Sequence, residues 1–158
     1  MTLTERQIEL LYKANYESKF PRLKEVENAL TSPVDAAYNC FAWALGENER
    51  VWEPFPHEVP GSYWPPDIPR NKSLSSFTKV FELCGYEQCE NGDLEEGIEK
   101  VALYAKSPED VTHATKQLSS GVWASKLGFA HDIEHEVADA LEGSEYGEVV
   151  RYMKRQQS

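Results

Sequence analysis

Apolar residues recur at helical spacing in the first half of the chain. A stripe through Ile8, Leu11 and Tyr12 predicts an amphipathic helix over residues 4–18. Residue types that commonly begin or end helices delimit several shorter helical segments. The other predicted helical segments are residues 23–30, a short helix from Asn39 or Cys40 to Gly46, residues 73–83 and residues 131–141.

After Gly85 apolar and polar positions alternate at a period of two, which is typical of strands. Ser119-Ser120-Gly121 marks a hairpin turn, and pairing across it sets residue 118 opposite residue 122. The predicted strands are residues 86–89, 100–105, 113–118 and 122–127, with the tail 146–153 as either strand or helix.

Residues 51–70 form a long predicted loop that contains six prolines, the proline-rich loop. Trp52, Phe55, Tyr63 and Trp64 lie between the prolines, and aromatic side chains this dense need a surface to pack on. Two interpretations remain open. The loop is either the wall of a cleft beside the short helix or a cover for the core.

Length and charge narrow the function classes. The 158 residues predict one domain, with a helical segment at 1–37 and a core at 38–155. A formal charge of −11 disfavours nucleic acid and anionic membrane as partners. Three cysteines cannot all pair within the chain, and no apolar run approaches the roughly 20 residues that span a bilayer. We therefore expect a cytoplasmic protein.

Cys40 is the first candidate for chemistry. Its predicted place in the first turn of a helix favours the thiolate, because unpaired N–H groups and the helix dipole stabilise an anion there. On this hypothesis its pKa lies below the usual value of about 8.5. The alternative is a buried structural cysteine, since the helix is apolar throughout.

A nucleophilic thiol needs a base, a group that orients the base, and donors for the oxyanion. Of the four histidines, only His113 is predicted to lie on a strand after the cysteine helix. It is therefore the candidate base, with a structural histidine as the alternative. The backbone N–H of Cys40, with the side chain of Asn39 or Tyr38, would form the oxyanion site.

The orienting group has three candidates. The hairpin register puts Ser125 on the same face as His113, and Gln117 lies on the same strand as His113. Asp132 could reach back to the histidine instead. Neither Ser125 nor Gln117 is a residue type that usually orients a catalytic histidine.

A rival site is formed by His131 and His135, which are four residues apart as zinc ligands on one helix face are. The metalloprotease pattern needs Glu where this chain has Asp132, and no third ligand is evident. Cys84 and Cys89 are too far apart in sequence for a Cys-x-x-Cys zinc motif. We therefore expect neither a metal nor another cofactor.

Several motifs together resemble a family of uncharacterised bacterial domains. They are Tyr38-Asn39-Cys40-Phe41-Ala42-Trp43-Ala44, Val101-Ala102-Leu103-Tyr104, Thr112-His113-Ala114 through Gln117-Leu118, Trp123 through Ser125-Lys126-Leu127-Gly128, Asp132-Ile133 with His135, and Leu141-Glu142-Gly143 with Tyr146-Gly147. The order of elements is similar to that of papain-like cysteine hydrolases of the NlpC and CHAP types. That resemblance implies an α+β fold with N-terminal helices, a small antiparallel sheet and a C-terminal helix.

The leading hypothesis is a cysteine hydrolase or transferase that acts on an amide or ester of an unidentified peptide, amide or protein substrate. Cys40 would be the nucleophile and His113 the base. The alternative is a catalytically silent binding module that uses the aromatic loop 51–70 as its contact surface. Five aromatic residues are candidates for a substrate cleft: Trp43, Trp52, Tyr63, Trp64 and Trp123.

Overall fold

A computed structural model describes residues 4–32, 38–46, 49–55, 58–127 and 132–157. Within these residues one antiparallel sheet of seven strands dominates, in the order β1-β6-β5-β4-β3-β7-β2. The strands are β1 (Asn28–Ser32), β2 (Glu87–Cys89), β3 (Ile98–Ser107), β4 (Asp110–Gln117), β5 (Trp123–Lys126), β6 (Asp132–His135) and β7 (Glu148–Gln156).

The helices flank this sheet and begin at side-chain caps. They are α1 (Glu5–Lys19), α2 (Cys40–Leu45) and α3 (Leu74–Leu83), with 3₁₀ turns at Leu23–Glu25 and Ala138–Leu141. Thr4 and Gln7 form a capping box at α1, and the side chains of Asn39 and Ser73 cap α2 and α3. Gly46 ends α2 in the left-handed conformation.

The two faces of the sheet carry separate hydrophobic clusters. Leu103 and Ala114 face the cluster that contains α2, α3 and the proline-rich loop. Tyr104 belongs to a cluster on the opposite face, with Tyr16 of α1 and Leu141 of the second 3₁₀ turn. Because cross-strand partners share a face, Ala114 lies on the face of Leu103 and His113 lies on the face of Tyr104.

The predicted papain-like α+β architecture is wrong. Residues 23–30 form a 3₁₀ turn and the start of β1 instead of further helical turns. The predicted C-terminal helix 131–141 is replaced by β6 and a 3₁₀ turn, and residue 131 lies outside the described residues. The tail is the long strand β7. The fold is therefore mostly a seven-stranded sheet with few helices.

Strand pairing explains why the helical spacing of apolar residues in 131–141 predicted the wrong structure. Ile133 and Leu141 are buried in one cluster, but they belong to a strand and a 3₁₀ turn. Strand β6 pairs with β1 on one side and β5 on the other, so both of its edges are hydrogen-bonded. These long-range ladders override the local period.

The hairpin register is confirmed, because Lys116 lies opposite Ala124. The proline-rich loop covers the core: Trp52 and Trp64 are buried in the α2 cluster, and Trp64 contacts Phe77 of α3 edge to face. Residues 56 and 57 of this loop lie outside the described residues. Among the described helices, none combines the length and apolarity needed to cross a bilayer.

Gly147 provides a test of how β7 meets β3. Its φ is +80°, and a Cβ there would lie 2.3 Å from the carbonyl oxygen of Ala105. Gly147→Ala should lower the free energy of unfolding by about 3 kcal/mol, measured by urea denaturation. Gly97→Ala is the control, because Gly97 has φ +73° but open space around it. Gly97→Ala should lower the free energy of unfolding by about 1 kcal/mol. Equal losses in the two variants would contradict the close approach of Gly147 to the Ala105 carbonyl.

Candidate active site and buried histidine network

Cys40 lies at the start of α2, where Asn39 ties the helix to the proline-rich loop. The Asn39 side-chain oxygen accepts from the N–H groups of Ala42 and Trp52, both at 3.2 Å. The Asn39 amide nitrogen donates to the Trp52 carbonyl at 2.8 Å. The side chain of Asn39, a predicted oxyanion donor, thus caps the helix and hydrogen-bonds to the loop.

A cavity of about 300 Å³ opens beside Cys40. Its walls come from the start of α2, the first part of the proline-rich loop, the start of β4 and the turn before β7. The lining residues are Asn39, Cys40, Phe41, Val51, Glu53, Val59, Lys72, Phe77, Asp110, Val111, Thr112, Glu145 and Tyr146.

The Cys40 thiol is buried, and burial raises its pKa to about 12. Backbone hydrogen bonds from Ala114, Phe41 and Cys40 itself act in the opposite direction but do not offset the loss of solvent. The charge of Glu53 raises the pKa further. The thiol is therefore protonated at neutral pH, in contrast to the thiolate expected from a helix start alone.

His113 lies on the other face of the sheet. It pairs with Tyr104, whereas the next residue, Ala114, pairs with Leu103 in the cluster that contains Cys40. His113 Nε2 is 3.1 Å from the hydroxyl of Ser125, and Nδ1 has no hydrogen-bond partner among the described residues. The structure thus brings His113 to Ser125 and does not place the Cys40 thiol in hydrogen-bond contact with it.

Ser125 joins two buried histidines. Its hydroxyl is 2.8 Å from His135 Nε2 and 2.8 Å from Thr115 Oγ1. His135 Nδ1 lies 2.7 Å from the carbonyl of Val137, so this nitrogen carries the proton and Nε2 is unprotonated.

The hydroxyl protons of this network go to oxygen acceptors. Thr115 donates its proton to the Ala124 carbonyl, and Ser125 donates its proton to Thr115 Oγ1. His113 must then donate from Nε2 to Ser125, which leaves its Nδ1 as a bare acceptor.

Both histidines are neutral. Burial lowers the pKa of His113 to about 3, with a smaller contribution from His135. Burial also lowers the pKa of His135 to about 4, although the Val137 carbonyl and Asp139 oppose this. A neutral His113 cannot stabilise a thiolate as an imidazolium would.

The other two candidates for orienting His113 have different partners. Gln117 donates from Nε2 to the carbonyl of Gly92 at 2.8 Å. Asp132 accepts from the hydroxyl of Tyr38 at 3.4 Å, beside Lys126. Tyr38, the second predicted oxyanion donor, is therefore linked to Asp132.

The predicted cleft aromatics are distributed over both faces. Trp52 and Trp64 are buried, Tyr63 contacts the Trp52 ring edge to face, and Trp43 stacks on Tyr38. Trp123 lies on the opposite face with Tyr152. These rings do not line the cavity beside Cys40.

His135, half of the rival zinc pair, is held by Ser125 and Val137, and His131 lies outside the described residues. Within the described part of the chain, no three His, Cys, Asp or Glu side chains are grouped to hold a metal ion.

Tyr146 is a site residue that was not predicted from the sequence. It lines the cavity beside Cys40, and its ring stacks on the His113 imidazole at 4.2 Å between centroids and 4° between planes. Burial raises the pKa of Tyr146, and the charge of Cys40 adds to this. Thr112 donates to the Tyr146 carbonyl at 2.5 Å. The available signal was the Tyr146-Gly147 motif, which carries the ring into place after a turn.

Comparison with known families assigns the chain to a family. The sequence model of the family described as "Domain of unknown function (DUF7689)" matches residues 29–154. The chain belongs to this family. The match confirms the expected resemblance to an uncharacterised domain family and supports neither a papain-like relationship nor a bacterial origin. No curated protein and no solved structure matches the chain. Helix α1 precedes the segment that the family covers.

The buried histidines predict a pH dependence of stability. Their pKa values in the folded state, about 3 and about 4, lie below the unfolded value of 6.5. Between these limits only the unfolded state binds the protons, so stability is full above pH 6.5 and falls as the pH decreases. Each histidine should lower the free energy of unfolding at pH 5 by about 2 kcal/mol relative to pH 7, measured by urea denaturation.

His113→Gln removes one titrating group and keeps a side-chain N–H donor for Ser125. The loss of stability between pH 7 and pH 5 should therefore shrink by about 2 kcal/mol in this variant. An identical pH dependence in both proteins would show that His113 titrates normally in the folded state.

Proposed function

We propose that this domain is a catalytically silent binding module that holds a peptide segment in the cavity beside Cys40. The observation that carries the proposal is the separation of the two predicted catalytic groups. Cys40 faces the cavity with a protonated thiol, while His113 is hydrogen-bonded to Ser125 on the opposite face.

The cavity has the size of a small recognition pocket. At about 300 Å³ it falls at the lower end of the range for ligand sites and accommodates one or two side chains. Its walls include Phe41, Val51, Val59, Phe77 and Val111, which favour an apolar side chain. The first part of the loop 51–70 contributes to the wall, so the loop serves both as cover and as cavity wall.

The charges around the cavity favour a basic peptide. Three carboxylates, those of Glu53, Asp110 and Glu145, share the lining with one ammonium group, that of Lys72. Lys72 also lies 3.8 Å from Glu58. A peptide with an apolar residue between two lysines would match both the walls and the charge.

The acidic chain, with a formal charge of −11, fits a peptide partner better than nucleic acid or an anionic membrane. Cys40, Cys84 and Cys89, all within the described residues, form no disulfide, which supports a role in the reducing cytoplasm.

The binding proposal is tested with two acetylated, amidated tripeptides, Lys-Leu-Lys and Glu-Leu-Glu, by following backbone amide shifts. Lys-Leu-Lys should bind at least ten-fold more tightly and shift the amides of Val51, Thr112 and Tyr146. The double variant Glu53→Gln with Asp110→Asn should reduce this preference to about two-fold or less.

Glu96→Gln is the matched control, because Glu96 is exposed in the turn before β3. It should leave the preference unchanged. Equal binding of both tripeptides, or shifts confined to other surfaces, would contradict the proposal.

A cysteine hydrolase or transferase remains the second candidate. The observation in its favour is that backbone N–H groups of Cys40, Phe41 and Ala114 act on the Cys40 sulfur at the edge of a cavity. Such a mechanism needs a thiolate, yet a pKa of about 12 leaves only on the order of one thiol in 10⁵ ionised at pH 7.

Alkylation separates the two candidates. The binding module predicts that iodoacetamide at pH 7.5 labels the partly exposed Cys84 and Cys89 before Cys40, because the buried thiol is protonated. It also predicts that His113→Gln changes the Cys40 rate by less than two-fold. The hydrolase requires Cys40 to react first and to slow at least ten-fold in His113→Gln. Mass spectrometry of the labelled peptides measures both.

A further inference from the structure

A second groove lies on the face of the sheet opposite Cys40. It has a volume of about 460 Å³ and is bordered by residues 91–94, the end of β4, the start of β5, residues 136–139 and Tyr152. Tyr152 forms a partly exposed aromatic wall, and its ring centroid lies 6.2 Å from that of the buried Trp123, with the planes at 60°. Aromatic rings in a groove favour flat or cationic ligands.

Gln117 brings an unused acceptor to this groove. Its side chain is only 7% exposed, and its Nε2 donates to the carbonyl of Gly92 at 2.8 Å. Its Oε1 has no hydrogen-bond partner among the described residues. Buried acceptors are nearly always paired, so a ligand that supplied an N–H here would complete the site.

Gly92 allows the rim to approach the aromatic wall. A Cβ at this position would lie 2.8 Å from both Trp123 and Tyr152, so a larger residue would push the loop away. The close approach also fixes the Gly92 carbonyl, which orients the Gln117 amide with its oxygen unpaired.

The charge of the groove is negative. Asp93, Glu136 and Asp139 line it, and no described lining residue is Lys or Arg. Arg22 pairs with Asp139 at 3.1 Å, and Glu136 accepts from the backbone of Glu27 at 3.3 Å. The negative charge that remains in the groove after these pairings favours a cation with N–H donors.

We propose that this groove binds a guanidinium group. One N–H would donate to Gln117 Oε1, the plane would contact the Tyr152 ring, and the carboxylates would balance the charge. A guanidinium fits better than an ammonium, because it is planar, stacks on aromatic rings and is more weakly hydrated. This site is independent of the cavity beside Cys40.

The test uses the full chain and isothermal titration calorimetry with acetylated, amidated Gly-Arg-Gly. The citrulline peptide is the uncharged isostere and should bind at least ten-fold more weakly. The lysine peptide should bind several-fold more weakly than the arginine peptide. Agmatine distinguishes the source: binding as tight as the peptide supports a small guanidinium metabolite, and weaker binding supports an arginine side chain of a partner.

Gln117→Met removes the acceptor at similar volume and should weaken arginine binding at least five-fold. Gln88→Met on the exposed strand β2 is the control and should leave binding unchanged. Asp93→Asn, at an exposed position on the rim, keeps the test decisive if Gln117→Met unfolds, and should weaken binding two- to five-fold. Equal affinity for arginine and citrulline, no binding at 10 mM peptide, or unchanged binding in the folded Gln117 and Asp93 variants would overturn the proposal.

Discussion

The alternation of side chains along β4 is the constraint on which the functional interpretation depends. Ala114 faces the cluster that contains Cys40, and His113 therefore faces the other side of the sheet. A one-residue shift in register would exchange the two faces, so the ladder to β3 keeps the thiol and the imidazole apart. Because the sheet is buried on both faces, His113 needs a polar partner on its own side, and Ser125, which also contacts His135, provides it.

The same burial determines the electrostatics of both groups. Loss of solvent raises the pKa of Cys40 and lowers the pKa of His113, so both are neutral at pH 7. In a catalytic thiol–imidazole pair the charged forms stabilise each other, and that requires direct contact. Tyr146 connects the two regions physically, since it lines the cavity and stacks on His113, but it is itself partly buried and neutral.

Local signals in the sequence predicted local structure well. Asn39 and Gly46 mark the two ends of α2, and the three-residue turn sets the register that places Ser125 beside His113. The long-range pairing of β6 with β1 and β5 could not be read from the chain, because Ile133 and Leu141 also fit a helical period. The face on which His113 lies depends on the β3–β4 ladder and on which face α2 covers, and neither is encoded in spacing near Cys40.

The protonation state of His113 distinguishes two separated neutral groups from a catalytic pair. Nitrogen-15 NMR of the histidine side chains distinguishes the neutral tautomers from imidazolium. If the thiol and the imidazole are separated, His113 is neutral with its proton on Nε2, unchanged between pH 8 and pH 5 and insensitive to Cys40→Ala. An imidazolium at pH 7 that loses its proton when Cys40 is replaced would show that the thiol and the imidazole form an ion pair, and would contradict their separation.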